Sequence, residues 1–571
     1  MFAELKLTIL KDLGNRMKDS QIYGIIKSLF PMPGDENLLS KYIETFQTSI
    51  EHKSEQLIAR LPGVTNEAEY SRLVEKYSKL PKSCPNPIDK CNQLVSDLFV
   101  GFPIWRSPLL QYNVAAPVNV AAAAMYSLAL DNNIFSISDS FAGNTLVAEE
   151  ATVQILGNMI GIKNAKGWFT FSGSATILYG IKVGLKKADP ESARKGITKS
   201  VSIISTEDGH FATTYSAEWL GIGTDNVERI KANANRTSSL TDLEQLLRTR
   251  MENGIRIAAI VVNGGTSYGH VIDDIKTIVE LRDALVKEYK LEYSPHIHVD
   301  SVIGWMWLFF HNYDFKQNEL GITDEALELI QLQYQKISEL TYADSWGADF
   351  HKSIGGCPAD SSVFILNDQN DAIHLSKKED PVESMHQIAE EFATNSPVIY
   401  TLENSRSSGP PLAALTSLHS MGSIGFQRNL ANLIETKLTM KRLFLKHPDI
   451  SICDPYELGY VLMIRMYPPL IKNNELKGQE LSSNSPHLFS FVEETNIYLL
   501  DFFNWDRKYR MDSSGEIEYS FSTSFVLLPT GQGLYALKIY PNSPHTNEIY
   551  AKDTVSTILN SKNTFDAIIR R

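Results

Sequence analysis

The segment from residue 167 to residue 300 alternates short apolar runs with stretches of helical periodicity. The apolar runs are GWFTF (167–171), SVSIIST (200–206), RIAAIVVN (256–263) and HIHVD (296–300), each long enough for a buried strand. Helical patterns occupy the residues after 174, residues 240–254 and residues 271–289. Strands that alternate with helices predict an α/β fold, with a mostly parallel sheet covered by helices on both faces.

Less regular zones flank this α/β segment. Residues 1–100 predict helices and loops, residues 101–395 form the predicted α/β domain, and residues 396–571 predict a smaller α+β domain. Within the last zone, LLPTGQGLYALKIYPNSPHT (527–546) predicts two short strands and a turn. A chain of 571 residues is long enough for such an arrangement.

Composition and charge argue against several classes of protein. The net charge of −13 is spread over mixed acids and bases, whereas a nucleic-acid surface needs a basic stripe. The N-terminus lacks the apolar core of a secretory signal, and the apolar stretch 114–130 is too polar to span a membrane. The four cysteines show no metal-binding spacing, so we expect no metal and a cytoplasmic protein with reduced thiols.

Polar residues follow the predicted strands, at the edge where α/β sheets bind ligands. A buried carboxylate at the end of a strand needs a partner, which a helix N-terminus, a salt bridge or a protonated pyridine nitrogen could supply. Taken singly, a turn glycine or a surface lysine has an ordinary structural explanation. The order in which the polar residues occur along the chain is more informative. In chain order they are Gly173, Ser174, His210, Thr266, Asp300, His351 and Lys352.

This order resembles the group II pyridoxal-phosphate-dependent amino acid decarboxylases, which act on glutamate, histidine, aromatic amino acids, tyrosine or diaminobutyrate. The segments that carry the resemblance span roughly residues 100–430: FSGSATILYGIK, EDGHFAT, NGGTSYG, HVDSV, ADSWGADFHKSIGGCP and ENSRSSG. The resemblance implies the architecture of fold-type I pyridoxal phosphate enzymes. It also implies a homodimer, an N-terminal segment that wraps the partner subunit, and an active site at the dimer interface.

The resemblance further implies a role for each residue. Lys352 would hold pyridoxal 5'-phosphate as a Schiff base, and Asp300 would keep the pyridine nitrogen protonated, so that the ring accepts electrons. His210 would stack on the ring. The other expected contacts are Gly173, Ser174 and Ser345 with the phosphate, His351 with the phosphate or the Schiff base, Thr266 with the cofactor or substrate, and Asn113 with the substrate. Arg406 would contact the substrate carboxylate or, as the alternative, form a structural ion pair.

The sequence departs from the family at two places. Relatives have an acid and an amide after the phosphate-loop glycine, whereas this chain has Ser-Ala-Thr-Ile at 174–177. Several relatives also place a proton-donating tyrosine in the loop after the lysine, and residues 364–399 contain none. Tyr400 is the nearest candidate for the proton donor, and His374 and His386 are the alternatives.

Three hypotheses follow for the activity. The first is decarboxylation of an L-amino acid to its amine and CO2. The second is an aldehyde synthase, in which the carbanion reacts with oxygen because a proton donor is missing, or another lyase or transferase of the same fold. The third is a homologue that has lost its activity, against which the presence of Lys352, Asp300 and His210 argues.

Overall fold

The computed structural model describes residues 23–30, 32, 38–51, 57–61, 63, 66–82, 84, 86–377, 396–453, 458–512, 517–528 and 530–570. Its α-helices are α1 (Leu38–Glu51), α2 (Glu67–Tyr77), α3 (Pro87–Leu98), α4 (Val120–Asp131), α5 (Asp139–Ala142), α6 (Leu146–Met159), α7 (Gly173–Ala188), α8 (Ser192–Lys195), α9 (Ala212–Trp219), α10 (Leu240–Glu252), α11 (Ile275–Glu288), α12 (Asp324–Ile337), α13 (Gly409–Phe444), α14 (Leu488–Asp512) and α15 (Glu548–Ile569). Its strands are β1 (Leu110–Gln111), β2 (Lys166–Thr170), β3 (Val201–Thr206), β4 (Val227–Ile230), β5 (Arg256–Asn263), β6 (His296–Asp300), β7 (Ser345–Asp349), β8 (Ser362–Leu366), β9 (Ile450–Ile452), β10 (Leu462–Met466), β11 (Glu518–Ser522) and β12 (Ala536–Ile539).

Seven strands form the central sheet, in the order β2-β8-β7-β6-β5-β3-β4. Strand β8 runs antiparallel to both of its neighbours, and the other six strands run in one direction. The α/β prediction with a mostly parallel sheet is therefore confirmed. Because six strands end at the same edge, the residues that follow them are brought together there.

Helix α7 packs closely on the middle of this sheet. A methyl group at Gly184 would meet the carbonyl of Ala258 on β5, and one at Gly180 would lie 2.6 Å from the ring of His298 on β6. Glycine at both positions therefore allows the helix to approach the strands. This contact fixes the N-terminal end of α7, at Gly173, beside the edge where β6 and β7 end.

A second sheet of five strands lies in the C-terminal part, in the order β1-β11-β12-β10-β9. Strand β1 comes from far earlier in the chain and pairs in parallel with β11. Helices α14 and α15 pack on this sheet through an apolar cluster that includes Leu499, Phe502 and Ile558. The segment after β1 is thereby held between the C-terminal sheet and the central one.

Most elements predicted in the α/β segment are found. One prediction in this segment and one in the C-terminal zone are corrected. The helix expected from residue 271 begins at Ile275, because the Asp273 carboxylate accepts hydrogen bonds from the backbone N–H groups of Asn263 and Ser238. Of the two strands expected at 527–546, only β12 forms, while Leu527 makes an isolated bridge to Gly533.

The predicted domain boundaries at residues 100 and 395 stay predictions. In the part of the chain that the structure describes, none of the helices combines the length and the apolar character needed to cross a bilayer. The proposed proton donor His386 lies outside the described residues.

Candidate active site

Lys352 lies in a tight turn just after β7. The backbone N–H of Ser353 donates to the carbonyl of Val114 (2.8 Å), and the N–H of Ala116 donates to the carbonyl of His351 (2.9 Å). Ser353 itself adopts a positive φ of 54°. The segment that follows β1 is therefore bonded to both sides of the lysine, which fixes the position of its backbone.

Two carboxylates act on the ammonium group of Lys352. Its Nζ lies 2.8 Å from Oδ2 of Asp349, the last residue of β7, and Asp300 is the last residue of the neighbouring strand β6. Burial by itself lowers the pKa of Lys352, but the two carboxylates together raise it above the ordinary value. The lysine is thus held as a cation between the ends of two adjacent strands.

Asp300 has a buried carboxyl group whose Oδ1 has no hydrogen-bond partner among the described residues. Burial and the nearby charge of Asp349 raise its pKa to about 6, although Lys352 and a backbone hydrogen bond from Val302 oppose the increase. A buried acceptor of this kind is costly unless a donor reaches it. The side chain is therefore ready to accept a hydrogen bond from a cationic ligand.

Gly173 allows the start of α7 to pack closely against the Asp349 carboxylate. A methyl group at this position would lie 2.6 Å from Oδ2 of Asp349 and 3.1 Å from a methyl carbon of Val302. The residue also begins α7, whose cap is the Ser172 hydroxyl accepting from the N–H of Ala175. The positive end of a sixteen-residue helix thus lies beside the lysine turn, where it favours an anion such as phosphate. Ser174, the next residue, is exposed on the first turn.

Two histidines lie close enough to Lys352 and Asp349 to be affected by their charges. Burial, reinforced by the charge of Lys352, lowers the pKa of His210, and its Nδ1 accepts a hydrogen bond from the N–H of Ala212. Burial likewise lowers the pKa of His351, whose Nε2 is 3.6 Å from Asp349. Both rings are therefore neutral at pH 7, and the His210 ring can stack against a flat ligand.

Asn113 lies two residues before Ala115, which forms an antiparallel bridge with Lys352. Its side-chain oxygen accepts hydrogen bonds from the N–H of Val114 and, at 3.0 Å, from Nζ of Lys538. Lys538 belongs to β12 of the C-terminal sheet and is only 8% exposed. Burial lowers its pKa to about 8, and no carboxylate pairs with it in the part of the chain that the structure describes.

The turn that contains Thr266 connects the end of β5 with the C-terminal sheet. The Thr266 hydroxyl accepts a hydrogen bond from the N–H of Val271, and its backbone closes the same turn. Tyr268, two residues later, lies with its ring 5.4 Å from Nζ of Lys538 and accepts a hydrogen bond from Ser522. Thr266 itself shapes the turn, and Tyr268 is the member of this turn that contacts the buried lysine.

Ser345 is not brought to the lysine. It begins β7, so it lies about 13 Å along the strand from Asp349. Its hydroxyl is bonded to His296 (2.7 Å) and His298 (2.9 Å) beneath the sheet. The contact with phosphate expected of Ser345 has no support in this geometry, because strand direction puts the residue at the opposite edge.

Tyr400 and Arg406 also have other partners. The Tyr400 ring stacks on Trp168 at 4.8 Å, and the residue lines a separate cavity along α7. Arg406 is buried and forms an ion pair with Glu149 at 2.6 Å, and its guanidinium also donates to the carbonyls of Phe169 and Ser136. The structure therefore gives Arg406 a structural partner in place of a free substrate-binding face.

Reasoning from the sequence missed two residues that the structure places at the site. Asp349 is the second aspartate of DSWGADFHK (344–352), so its position three residues before Lys352 could have indicated that it lies at the site. Lys538 had no such signal, because it is contributed by a distant strand and ordinary lysines are exposed.

Comparison with known proteins gives partial sequence matches. The chain is 27% identical over 173 residues to acidic amino acid decarboxylase GADL1 of Xenopus tropicalis, covering 29% of this chain and 32% of that protein. It is 25% identical over 171 residues to L-tyrosine decarboxylase of Enterococcus faecalis, covering 28% of this chain and 27% of that protein. The matched stretch thus spans about a third or less of these relatives, and no family model matches.

Solved structures match over nearly the whole chain. Mouse CSAD superposes with a TM-score of 0.72 at 14% identity, covering 92% of this chain and 99% of that one. Oryza sativa TDC with PLP and tryptamine gives 0.73 at 13% identity, covering 94% and 99%. Rhodiola rosea 4-hydroxyphenylacetaldehyde synthase gives 0.69 at 14% identity, covering 93% and 99%.

The chain has the fold of these proteins. The predicted resemblance is therefore confirmed in sequence, over the matched stretch, and in architecture. The site residues also fit pyridoxal phosphate by their own geometry. Gly173 begins a long helix whose N-terminus favours a phosphate, the unpartnered Oδ1 of Asp300 can accept from a pyridinium, and Lys352 is the amine beside Asp349.

Proposed function

We propose that the protein is a pyridoxal-phosphate-dependent decarboxylase of an L-amino acid. The single observation that carries the proposal is the position of Lys352 at the ends of β6 and β7, in contact with Asp349, within the electrostatic influence of Asp300 and beside the start of α7. When bound to Lys352, pyridoxal phosphate would act as the electron acceptor that stabilises the carbanion left by departing CO2.

The residues around the lysine would position and protonate the reacting groups. Asp300, whose buried Oδ1 has no partner among the described residues, would hold a proton on the pyridine nitrogen, and the cation would in turn lower the raised pKa of this carboxyl. The neutral His210 ring would cover one face of the cofactor. The start of α7 at Gly173 would bind the phosphate through its backbone N–H groups.

Lys538 would bind a carboxylate of the substrate. It is a buried cation without a partner acid among the described residues, and it is linked through Asn113 to the segment that bridges Lys352. A charge-assisted hydrogen bond to an incoming carboxylate would satisfy it. If that carboxylate is the one on the α-carbon, replacing Lys538 weakens binding of every amino acid. If it is a side-chain carboxylate, only aspartate- or glutamate-like substrates are affected.

A panel of L-amino acids tests the activity and the substrate together. The purified full-length protein, supplied with pyridoxal phosphate, is incubated with each amino acid, and CO2, amine and aldehyde are measured in the same samples. Equal amounts of CO2 and amine from at least one amino acid, abolished in Lys352→Ala, support decarboxylation. No CO2 from any amino acid, with the cofactor bound, contradicts it.

The aldehyde synthase is a second candidate, favoured by the surroundings of Tyr400. The ring of this proposed proton donor is stacked on Trp168 and lines another cavity. Without a donor, the carbanion would be oxidised by O2, and hydrolysis would give aldehyde, ammonia, CO2 and hydrogen peroxide. Equal aldehyde and peroxide, in place of amine, would identify this activity in the same panel.

We further propose that the protein is a cytoplasmic homodimer. Support comes from the sequence resemblance and from the match in fold over nearly the whole length of mouse CSAD. Sedimentation equilibrium of the full chain with bound cofactor tests the assembly, with twice the chain mass of 64.0 kDa expected. A single-chain mass at micromolar concentration would contradict it.

A further inference from the structure

A cavity of about 590 Å³ lies beside the C-terminal half of α7, away from the lysine turn. Lys182, in its wall, is about 14 Å along the helix axis from Gly173, the start of α7. The other walls come from the chain around residues 193–194 and 220, and from residues 374–377 and 400–402. This cavity is therefore separate from the proposed cofactor site.

The cavity wall carries only basic charges. Among the described residues that line it there are five basic side chains and no acidic one: Lys182, Lys186, Arg194, His374 and Lys377. Acids near this wall already have partners, some of them in the wall itself: Glu191 pairs with Arg194, Asp371 lies 3.9 Å from His374, and Glu403 accepts from Tyr179. Glu403 also accepts from Thr170, Asp371 also pairs with Lys187, and Glu191 also pairs with Lys195.

Lys182 and Lys186 make this wall distinctive. They are four residues apart on α7, so they are neighbours on one helix face, and like charges at this spacing repel. Neither ammonium group has an acidic partner or a side-chain hydrogen bond in the described part of the chain. Burial, with the charge of Lys186, lowers the pKa of Lys182. An anion between the two lysines would remove the repulsion.

The rest of the wall is mostly apolar. Apart from Ser376 and Thr401, the other lining residues are apolar or aromatic: Leu178, Tyr179, Ala193, Leu220, Leu375, Tyr400 and Leu402. A hydrated inorganic ion gains little from such a wall, whereas an apolar or aromatic body would bury against it. The cavity therefore combines a site for negative charge with a site for a hydrophobic group.

We propose that this cavity binds an organic anion, consisting of a phosphate or carboxylate attached to an apolar or aromatic body. The anionic group lies between Lys182 and Lys186, and the body packs against the leucines and tyrosines. The proposal does not depend on the proposed function, because none of the residues that would bind the ligand belongs to the lysine site.

Phenyl phosphate and benzoate are suitable probes, with benzyl alcohol as the uncharged analogue. Binding to the full-length chain is measured by saturation-transfer difference NMR on the aromatic protons, with and without pyridoxal phosphate. We expect saturable binding of at least one anion and at least tenfold weaker binding of benzyl alcohol. The two anionic probes distinguish a phosphate ligand from a carboxylate ligand.

The variant Lys182→Gln/Lys186→Gln keeps the helix and removes both charges, and Lys163→Gln is the control on an exposed turn. The double variant should bind the anion at least tenfold more weakly than the wild type does. The control variant should bind it with wild-type affinity, and both variants should have the melting temperature of the wild type. Equal binding by the double variant and the wild type would overturn the proposal. Absence of saturable binding of either anion would overturn it too.

Discussion

Nζ of Lys352 lies 2.8 Å from Oδ2 of Asp349, and a methyl group at Gly173 would lie 2.6 Å from that same oxygen. The lysine, the carboxylate and the helix start therefore share one small volume. We predict that Gly173→Ala displaces the Asp349 side chain and narrows the proposed phosphate cradle. Affinity for pyridoxal phosphate, measured by titration of the visible absorbance, should fall at least tenfold.

Gly425→Ala is the matched control for this substitution. Gly425 lies inside α13, and its added methyl group would meet only the Met421 side chain, at 3.3 Å. This control should bind pyridoxal phosphate as the wild type does. Unchanged affinity in Gly173→Ala would mean that the start of α7 is not part of the cofactor site.

Asp300 gives a prediction about pH. Its folded-state pKa of about 6 is raised above the ordinary value of 3.8, so its contribution to stability falls as pH rises between these values. Asp300→Asn has no carboxyl group to ionise at this position, so the variant does not lose this stability as pH rises. Without cofactor, we compare the unfolding free energy of the variant with that of the wild type at each pH. The difference in favour of the variant should be larger at pH 7.5 than at pH 5, by about 1 kcal/mol.

Urea unfolding of both proteins at the two pH values measures this difference. The same variant should bind pyridoxal phosphate more weakly, because the amide cannot balance a pyridinium charge. A stability difference that does not change with pH would show that the Asp300 carboxyl titrates normally in the folded state.

Lys538 should affect substrate binding more than cofactor binding. Lys538→Met keeps the length and apolar character of the side chain and removes the charge. We expect KM for the best amino acid to rise about tenfold or more, equivalent to about 1.4 kcal/mol, with the visible cofactor absorbance unchanged. Lys163→Met is the exposed control. A normal KM in Lys538→Met would exclude carboxylate recognition by this residue.

The ion pair of Arg406 with Glu149 should be structural. Breaking it leaves a buried, unpaired carboxylate, so Arg406→Met should lower the unfolding free energy by about 3–5 kcal/mol. The double variant Arg406→Met/Glu149→Leu removes both charges and should recover most of that loss and the cofactor absorbance. Wild-type stability of the single variant, together with a raised KM, would instead assign Arg406 to the substrate.

The sequence predicted those features of the site that depend on the arrangement of residues within short segments. Apolar runs predicted four of the seven strands of the central sheet, β2, β3, β5 and β6. The short motifs around Asp300 and Lys352 identified residues that the sheet brings together. Ser345 was misplaced because the motif does not state which end of a strand faces the site. Lys538 could not be predicted, since β12 approaches Asn113 only through tertiary packing of the two sheets.

The covalent bond between Lys352 and the cofactor is the central claim, and chemical trapping tests it most directly. The protein is mixed with pyridoxal phosphate, reduced with sodium borohydride to fix any C=N bond, digested, and mapped by mass spectrometry. We expect one dominant pyridoxyl-phosphate label, on the peptide that contains Lys352, and its loss in Lys352→Ala. A label on another lysine, or no label after the cofactor has been supplied in excess, would show that Lys352 does not bind the cofactor.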